Sequence, residues 1–310
     1  MGHKVILLYE SDRGSVLCDM ASAVLSQAAV SFELAFKLPV RRCARGQEIG
    51  DDILDLCADA DAVLVMDSNM ACLPALADEL LCACRLRELR YTDMIANRSL
   101  AGAERPLNAV LIQALSGQPD ALQSAAVLAY SVSGRDNLPI SQVPPTGRLA
   151  SEWKKAAEEA DSLSAPFHAR ELQLAQAVPD MVYRPSRIGV ILCPPYAGNI
   201  LADAAAALCG APGMCYDIYT GGQCRMYAPL NSSEDCVDPF GMLRCLRVLL
   251  QDLGLEREAG CLEAAIRNVL QQGWRTEDIP GEGCRQTDAE HVIQLVCSQI
   301  AVAGEWIGRQ

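Results

Sequence analysis

The chain reads as an α/β protein built on a largely parallel sheet, and three observations predict this. Lys4–Tyr9 is a short β-branched and leucine-rich run, followed by a polar loop, Glu10–Gly14, and a helical pattern over Ser15–Ala28 with apolar residues at 16, 17, 20, 24 and 25. Ala62–Met66 is an unbroken apolar run bounded by Asp61 and Asp67, as a strand buried on both faces requires. Arg187–Cys193 is a third apolar strand, and it enters a turn at Pro194–Gly198 before an alanine-rich helix, Asn199–Leu208.

The remaining elements follow in order. Phe32–Leu38 alternates like a strand, and Ile49–Ala58 is a short amphipathic helix. Leu76–Arg90 reads as a helix ending in a basic cluster, Arg85, Arg87 and Arg90. Val110–Leu115 is a strand, Ala121–Tyr130 a helix or an edge strand, and Gly134–Gly147 a loop rich in Gly, Pro, Asn and Ser. Ser151–Ala160 is a helix with Ser151 as its N-cap. Gly210–Gly222 and Tyr227–Pro239 read as loops. Met242–Gly254, Arg257–Gln272 and Asp288–Ile300 close the chain as helices. No internal repeat is present.

Composition bounds the function. A chain of 310 residues allows about two domains. The 51% hydrophobic share is that of a folded protein. The net charge of −13 opposes nucleic-acid binding, which needs clustered Lys and Arg, and opposes an anionic membrane surface. No uninterrupted apolar run reaches the roughly 18 residues of a membrane span. Residues 1–9 are too short for a signal peptide, and Ile6 stands where myristoylation needs Ser or Thr, so a cytoplasmic protein is expected. The 15 cysteines are odd in number, show no Cys-x-x-Cys spacing and mostly sit in apolar periodic segments, so free buried thiols are expected rather than a disulfide framework or a metal knuckle.

Generic catalytic motifs are missing: no G-x-G-x-x-G, Walker A, H-E-x-x-H or G-x-S-x-G occurs. The histidines, His3, His168 and His291, are scattered. The informative unit is Pro194–Asp203. Asn199 and Asp203 lie four residues apart on one helix face, where their oxygens could hold a hard cation such as Mg²⁺. They could equally be an N-cap and an exposed first-turn acid.

At this unit the chain resembles a known family. Gly198-Asn199-Ile200-Leu201-Ala202-Asp203, followed by an alanine-rich helix and Gly210-Ala211-Pro212-Gly213-Met214, is similar to the metal-binding segment of the isocitrate/isopropylmalate dehydrogenases. Lys4–Leu25 resembles their opening strand, loop and helix, and Ala58–Val65 their second buried strand. Ser151–Glu159 resembles the helix after the catalytic lysine, Tyr227–Pro239 the adenine loop, and Leu253–Leu255 with Gly273–Ile279 the closing turn.

The resemblance implies a two-domain α/β fold with a central mixed sheet flanked by helices. Residues 1–85 with 210–310 would form a large discontinuous domain, and 86–209 a smaller, dimer-forming one. It implies NAD or NADP and Mg²⁺ or Mn²⁺ as cofactors, oxidative decarboxylation of a 2-hydroxy acid, and a homodimer or a hetero-oligomer with an active family member. Carried over by position, Asp203 and Asn199 are the metal ligands and Arg90 is a substrate-binding arginine. Asn231, Ser232, Ser233, Asp235 and Asp238 occupy the cofactor loop, where Asp238-Pro239 replaces the usual Asn-Pro. Other positions lack the family's chemistry. The third metal acid falls near Ala175, further arginines near Leu80 and Gln113, and the catalytic lysine near Val143. No lysine occurs between Lys37 and Lys154, and Tyr130 has no match to the catalytic tyrosine.

A scaffold retained while site positions are replaced is the pattern of a pseudoenzyme or regulatory paralogue. The alternative is a diverged NAD(P)-dependent 2-hydroxy-acid oxidoreductase, and a third reading is a small-molecule binder on the same scaffold.

Overall fold

The computed structural model describes residues 2–307 except 47–48, 91–94, 96–106, 164–167, 223, 231–236, 280 and 282. In chain order the elements begin β1 (His3–Tyr9), α1 (Asp12–Phe32), β2 (Phe36–Lys37), β3 (Val40–Arg42), α2 (Asp51–Ala58), β4 (Ala62–Val65), α3 (Leu73–Glu79) and β5 (Cys84–Glu88). They continue with β6 (Val110–Ala114), α4 (Pro119–Asp136), β7 (Ile140–Gln142), α5 (Leu149–Leu163), β8 (Arg170–Glu171), α6 (Leu174–Tyr183), β9 (Val190–Cys193) and α7 (Pro195–Cys209). The chain closes with β10 (Tyr216–Thr220), β11 (Arg225–Pro229), α8 (Phe240–Asp252), α9 (Glu256–Gln271), β12 (Trp274–Arg275), β13 (Arg285–Gln286) and α10 (Ala289–Ile307).

Two compact units result: Met1–Leu80 with Gly213–Tyr216 and Cys224–Gln310, and Leu81–Pro212 with Asp217–Gln223. In the first unit β1 is central, pairing in parallel with β2, β3 and β4, and β4 pairs in parallel with β11. Val5–Leu8 and Ala62–Val65 are completely buried or nearly so, which accounts for their unbroken apolar runs. Helix α1 packs on β1 and against α10. By length and composition α1 is apolar enough to cross a membrane. It nevertheless opens on Asp12 and buries Leu17, Cys18, Ala21, Val24, Leu25 and Ala28 as a core helix does.

In the second unit the strand order is β10-β5-β6-β9-β7-β8, with β5 antiparallel to β6 and β6, β9, β7 and β8 successively parallel. This is the mixed sheet flanked by helices that the sequence implied. One face carries a core of Cys84, Val110, Ile112, Ala114, Val190 and Leu192 against α4 and α5.

Several elements differ from the sequence reading. Leu76–Arg90 is not one helix: α3 stops at Glu79, Leu81 takes a left-handed φ of 57°, and the chain leaves as strand β5. Gly210–Gly222 contains β10, Tyr227–Pro239 begins within β11, and Gly134–Gly147 holds the end of α4 and all of β7. Phe32–Leu38 contributes only the two-residue β2, because α1 runs through Phe32. Ala121–Tyr130 is helical. Ser151 lies inside α5 and Asn199 inside α7, so neither is an N-cap.

All cysteines among the described residues are free. Burial pushes the Cys18, Cys43 and Cys57 thiols up to about 12, so they act as small hydrophobes rather than nucleophiles.

Candidate functional site

The site is set by alternation along β5. Cys84 and Leu86 face the hydrophobic core against α4, so Arg85 and Arg87 share the opposite face of the strand. The register places Gln113 of β6 directly opposite Arg85 and Leu111 opposite Arg87. Helix α7 covers this face closely. A Cβ on Gly198 would lie 2.4 Å from the Gln113 side chain, so the crossing requires glycine.

This approach places the α7 residues singled out from sequence over the two arginines. Arg87 donates through Nε and Nη2 to the two oxygens of Asp217 on β10, both at 2.7 Å, and through Nη1 to Asp203 at 2.6 Å. Arg85 donates through Nη2 to Gln113 Oε1 at 2.6 Å and Asn199 Oδ1 at 2.9 Å, and its Nη1 lies 3.5 Å from Asp217. The Gln113 amide donates in turn to the Pro195 carbonyl at the start of α7. Asp217 and Arg87 have side chains only 3% and 5% exposed, while Asp203 is 74% exposed.

Burial alone would raise the Asp217 carboxyl. The Arg87 and Arg85 charges and the Arg87 hydrogen bonds outweigh it and hold Asp217 below the ordinary carboxylate range. The bidentate fork onto Asp217 is geometry that only arginine provides.

Arg90 goes elsewhere. It lies just past β5 and pairs with Glu88 at 3.0 Å and with Asp136 at 2.6 Å. Asp136 ends α4, on the opposite side of the sheet from α7. The structure therefore unites Asn199 and Asp203 in one network and takes Arg90 to a different one. Val143, near which the resemblance puts the catalytic lysine, is 1% exposed and donates its backbone N–H to Leu192. Ala175 is exposed on α6, and Leu80 is buried. Tyr130 is buried between α4 and α5, and burial beside Asp161 pushes its hydroxyl up to about 12.

The cofactor-loop residues Asn231, Ser232, Ser233 and Asp235 lie outside the described residues. Asp238 is buried in the first unit. Its Oδ1 accepts from the Phe240 N–H at 2.9 Å and lies 3.5 Å from the Thr276 hydroxyl. Its Oδ2 is buried without a partner among the described residues. A Cβ on Gly213 would fall 2.0 Å from Asp238 Oδ2 and 2.4 Å from Asp278 Oδ2, so two carboxyl groups converge on that glycine. Burial first, then the Asp278 charge, raise the Asp238 carboxyl well above the ordinary range.

Sequence reasoning missed the centre of the network. Arg85 and Arg87 were visible as a basic cluster, but placing them on a helix hid that Arg-x-Arg puts both on one face of a strand. Asp217 lay in what read as loop.

The implied cofactors can be tested against these donors. A divalent ion needs carboxylate oxygens free to ligate. Here Asp203 Oδ1 and both Asp217 oxygens are engaged by guanidinium groups, and Asn199 Oδ1 is engaged by Arg85. No group of three His, Cys, Asp or Glu able to hold a metal occurs among the described residues. As arranged, these residues do not fit a divalent metal. Asp238 turns into the core and offers no oxygen to a dinucleotide.

Fold and sequence comparisons agree on the class of protein. The fold is shared with an isocitrate dehydrogenase from Methylococcus capsulatus, which superposes with a TM-score of 0.82 at 14% identity, covering 96% of this chain and 99% of that one. A chain in the cryo-EM structure of the Euglena gracilis mitochondrial ATP synthase peripheral stalk has the same fold, with a TM-score of 0.73 at 16% identity over 95% and 99% of the two chains. The isocitrate/isopropylmalate dehydrogenase family model matches residues 146–296. The 3-isopropylmalate dehydrogenase of Helicobacter hepaticus is 23% identical over 201 residues, 62% of this chain and 56% of that protein. That of Agrobacterium fabrum is 33% identical over 149 residues, 42% and 40% of the two. These alignments span about half the length of the relatives. Over residues 146–296, just under half of its length, the chain is similar to the isocitrate/isopropylmalate dehydrogenase family.

Proposed function

We propose that this chain is a non-catalytic member of its family, a binding or scaffolding protein that does not carry out metal-dependent oxidative decarboxylation. The observation that carries the reading is Arg87, whose guanidinium joins Asp203 to the buried Asp217. In the family's reaction a metal at the positions that Asp203 and Asn199 match polarises the substrate hydroxyl and then the enolate oxygen. Here Arg87 and Arg85 engage those two side chains. The chain's four lysines, Lys4, Lys37, Lys154 and Lys155, lie outside this network, and a buried valine stands near where the resemblance puts the catalytic lysine.

The alternative is a diverged NAD(P)-dependent oxidoreductase, with Arg90 on substrate and Asn231, Ser232, Ser233 and Asp235 on the dinucleotide. Assays of isocitrate, 3-isopropylmalate, malate and tartrate with NAD⁺ or NADP⁺ and Mn²⁺ separate the two. No nucleotide reduction above the blank is expected, and enzyme-dependent reduction would sink the non-catalytic reading.

The scaffolding role implies a partner, either a second copy or an active family member. Tyr196 and Ile200 on α7 and Tyr183 at the end of α6 are exposed apolar groups on neighbouring helices of the second unit. The occurrence of this fold in a peripheral-stalk chain supports a structural role in an assembly. Light scattering after gel filtration reads the oligomeric state directly. Cell fractionation tests the expected cytoplasmic location.

A further inference from the structure

A divalent ion at Asp203 and Asn199, the positions that the family resemblance gives to the metal, would do two things for the second unit besides chemistry. It would neutralise the carboxylate on α7, and it would draw α7 toward the buried Asp217 on the strands below. Both tasks are already performed by side chains of this protein. Arg87 uses Nε and Nη2 on Asp217 and Nη1 on Asp203, so one guanidinium spans from β10 to α7. Arg85 bridges Gln113 of β6 to Asn199 of α7 and stands 3.5 Å from Asp217. Two fixed positive charges face two carboxylates, so the group is neutral without an added ion.

We infer that Arg85 and Arg87 are the resident cations of this centre, replacing a divalent metal and making the second unit fold and hold α7 independently of metal. The inference rests on the non-catalytic reading of the same site and deepens it, because it says what the altered residues now do. A neutral Asn at 199 is then suitable rather than defective. Arg85 needs an acceptor there, and its Nη2 is satisfied by two amide oxygens instead of a second acid. Guanidinium is also the right replacement in chemical terms. It stays charged at every accessible pH, and its planar fork matches a carboxylate edge. An incoming dication would have to break these bonds and then remain beside two guanidinium groups that cannot deprotonate.

The test uses the full chain. Wild-type protein is melted in EDTA and in millimolar Mg²⁺ or Mn²⁺, and bound Mn²⁺ is read by electron paramagnetic resonance. The expected result is an unchanged melting temperature and no bound Mn²⁺. Saturable binding of one Mn²⁺ that raises the melting temperature and is abolished by Asp203→Asn would overturn the inference. In EDTA, Arg87→Gln is expected to lose about 5–15 °C or fail to fold, with Arg87→Lys restoring part of the loss because one charge returns. An Arg87→Gln protein as stable as wild type overturns the inference as well. Failure here is distinguishable from failure of the functional reading. Bound Mn²⁺ without turnover removes the arginine cations and leaves a non-catalytic protein. Turnover in EDTA removes the non-catalytic reading and leaves the arginine cations.

Discussion

Asp217 in the second unit and Asp238 in the first are both almost wholly inaccessible to solvent, yet they end in opposite states. Burial raises both carboxyls. Asp217 meets two guanidiniums and its carboxyl is lowered, while Asp238 meets Asp278 and its carboxyl is raised. The neighbour's charge, not the depth of burial, decides in which direction a buried carboxyl moves. The two buried acids therefore differ in their surroundings: one sits in an internal ion network, the other against a second carboxyl group.

The contrast is broken most severely by Asp217→Asn. The mutation takes the bidentate carboxylate from the buried Arg87, and a loss of about 3–5 kcal/mol is expected in denaturant unfolding. A loss under about 1 kcal/mol would mean that the network is solvated. The same chemical change at Asp238 is expected to act with the opposite sign. Asp238→Asn removes a carboxyl whose charged form burial and Asp278 disfavour, so stability at pH 7 is expected to rise in the same denaturant titration. A fall would show that the acid's proton is itself needed.

The pH profile sharpens the comparison further. The Asp238 pKa is raised in the folded state, so its contribution is fully present below its ordinary value of 3.8 and is lost as pH rises toward the folded value. Asp217 is depressed, so its contribution is present above the ordinary value of 3.8 and is lost as pH falls through the lower folded value. Wild-type melting temperature should fall with rising pH above about 4, a slope that Asp238→Asn removes, and should fall again in strong acid through Asp217. An Asp238→Asn protein with the wild-type slope would break the assignment. The smallest effect is expected from Asp203→Asn, since that side chain is 74% exposed and its pairing with Arg87 is screened by water. A change within about 1 kcal/mol in thermal melts fits this exposure, and a larger one would place Asp203 among the buried partners.

The parts of the fold legible in sequence are those with strong periodicity. Ala62–Val65, Val110–Ala114 and Val190–Cys193 are buried on both faces, so each shows an unbroken apolar run. The paired helices α8 and α9 show equally clear spacing. Strand β5 was not legible, because Cys-Arg-Leu-Arg-Glu buries apolar groups on one face and arginines on the other, and the preceding leucines continue the helical pattern of α3. Strand β10 was hidden among glycines and prolines. Asn199 and Asp203 were readable as neighbours on a helix face, but the arginines beneath them were not, since hydrogen-bond partners 114 and 116 residues apart leave no local pattern.

The sequence by itself determined the α/β class, the family resemblance and the lack of any lysine between Lys37 and Lys154, because each follows from residue type and order along the chain. Tertiary structure alone decided what became of the acids. That Asp203 and Asp217 face guanidinium groups depends on which strand face Arg85 and Arg87 occupy and what α7 brings over it. That the Asp238 carboxyl is raised depends on its burial and on Asp278, 40 residues away in sequence and adjacent across Gly213. Electrostatic energy depends on distance in space, and only the folded chain sets that distance.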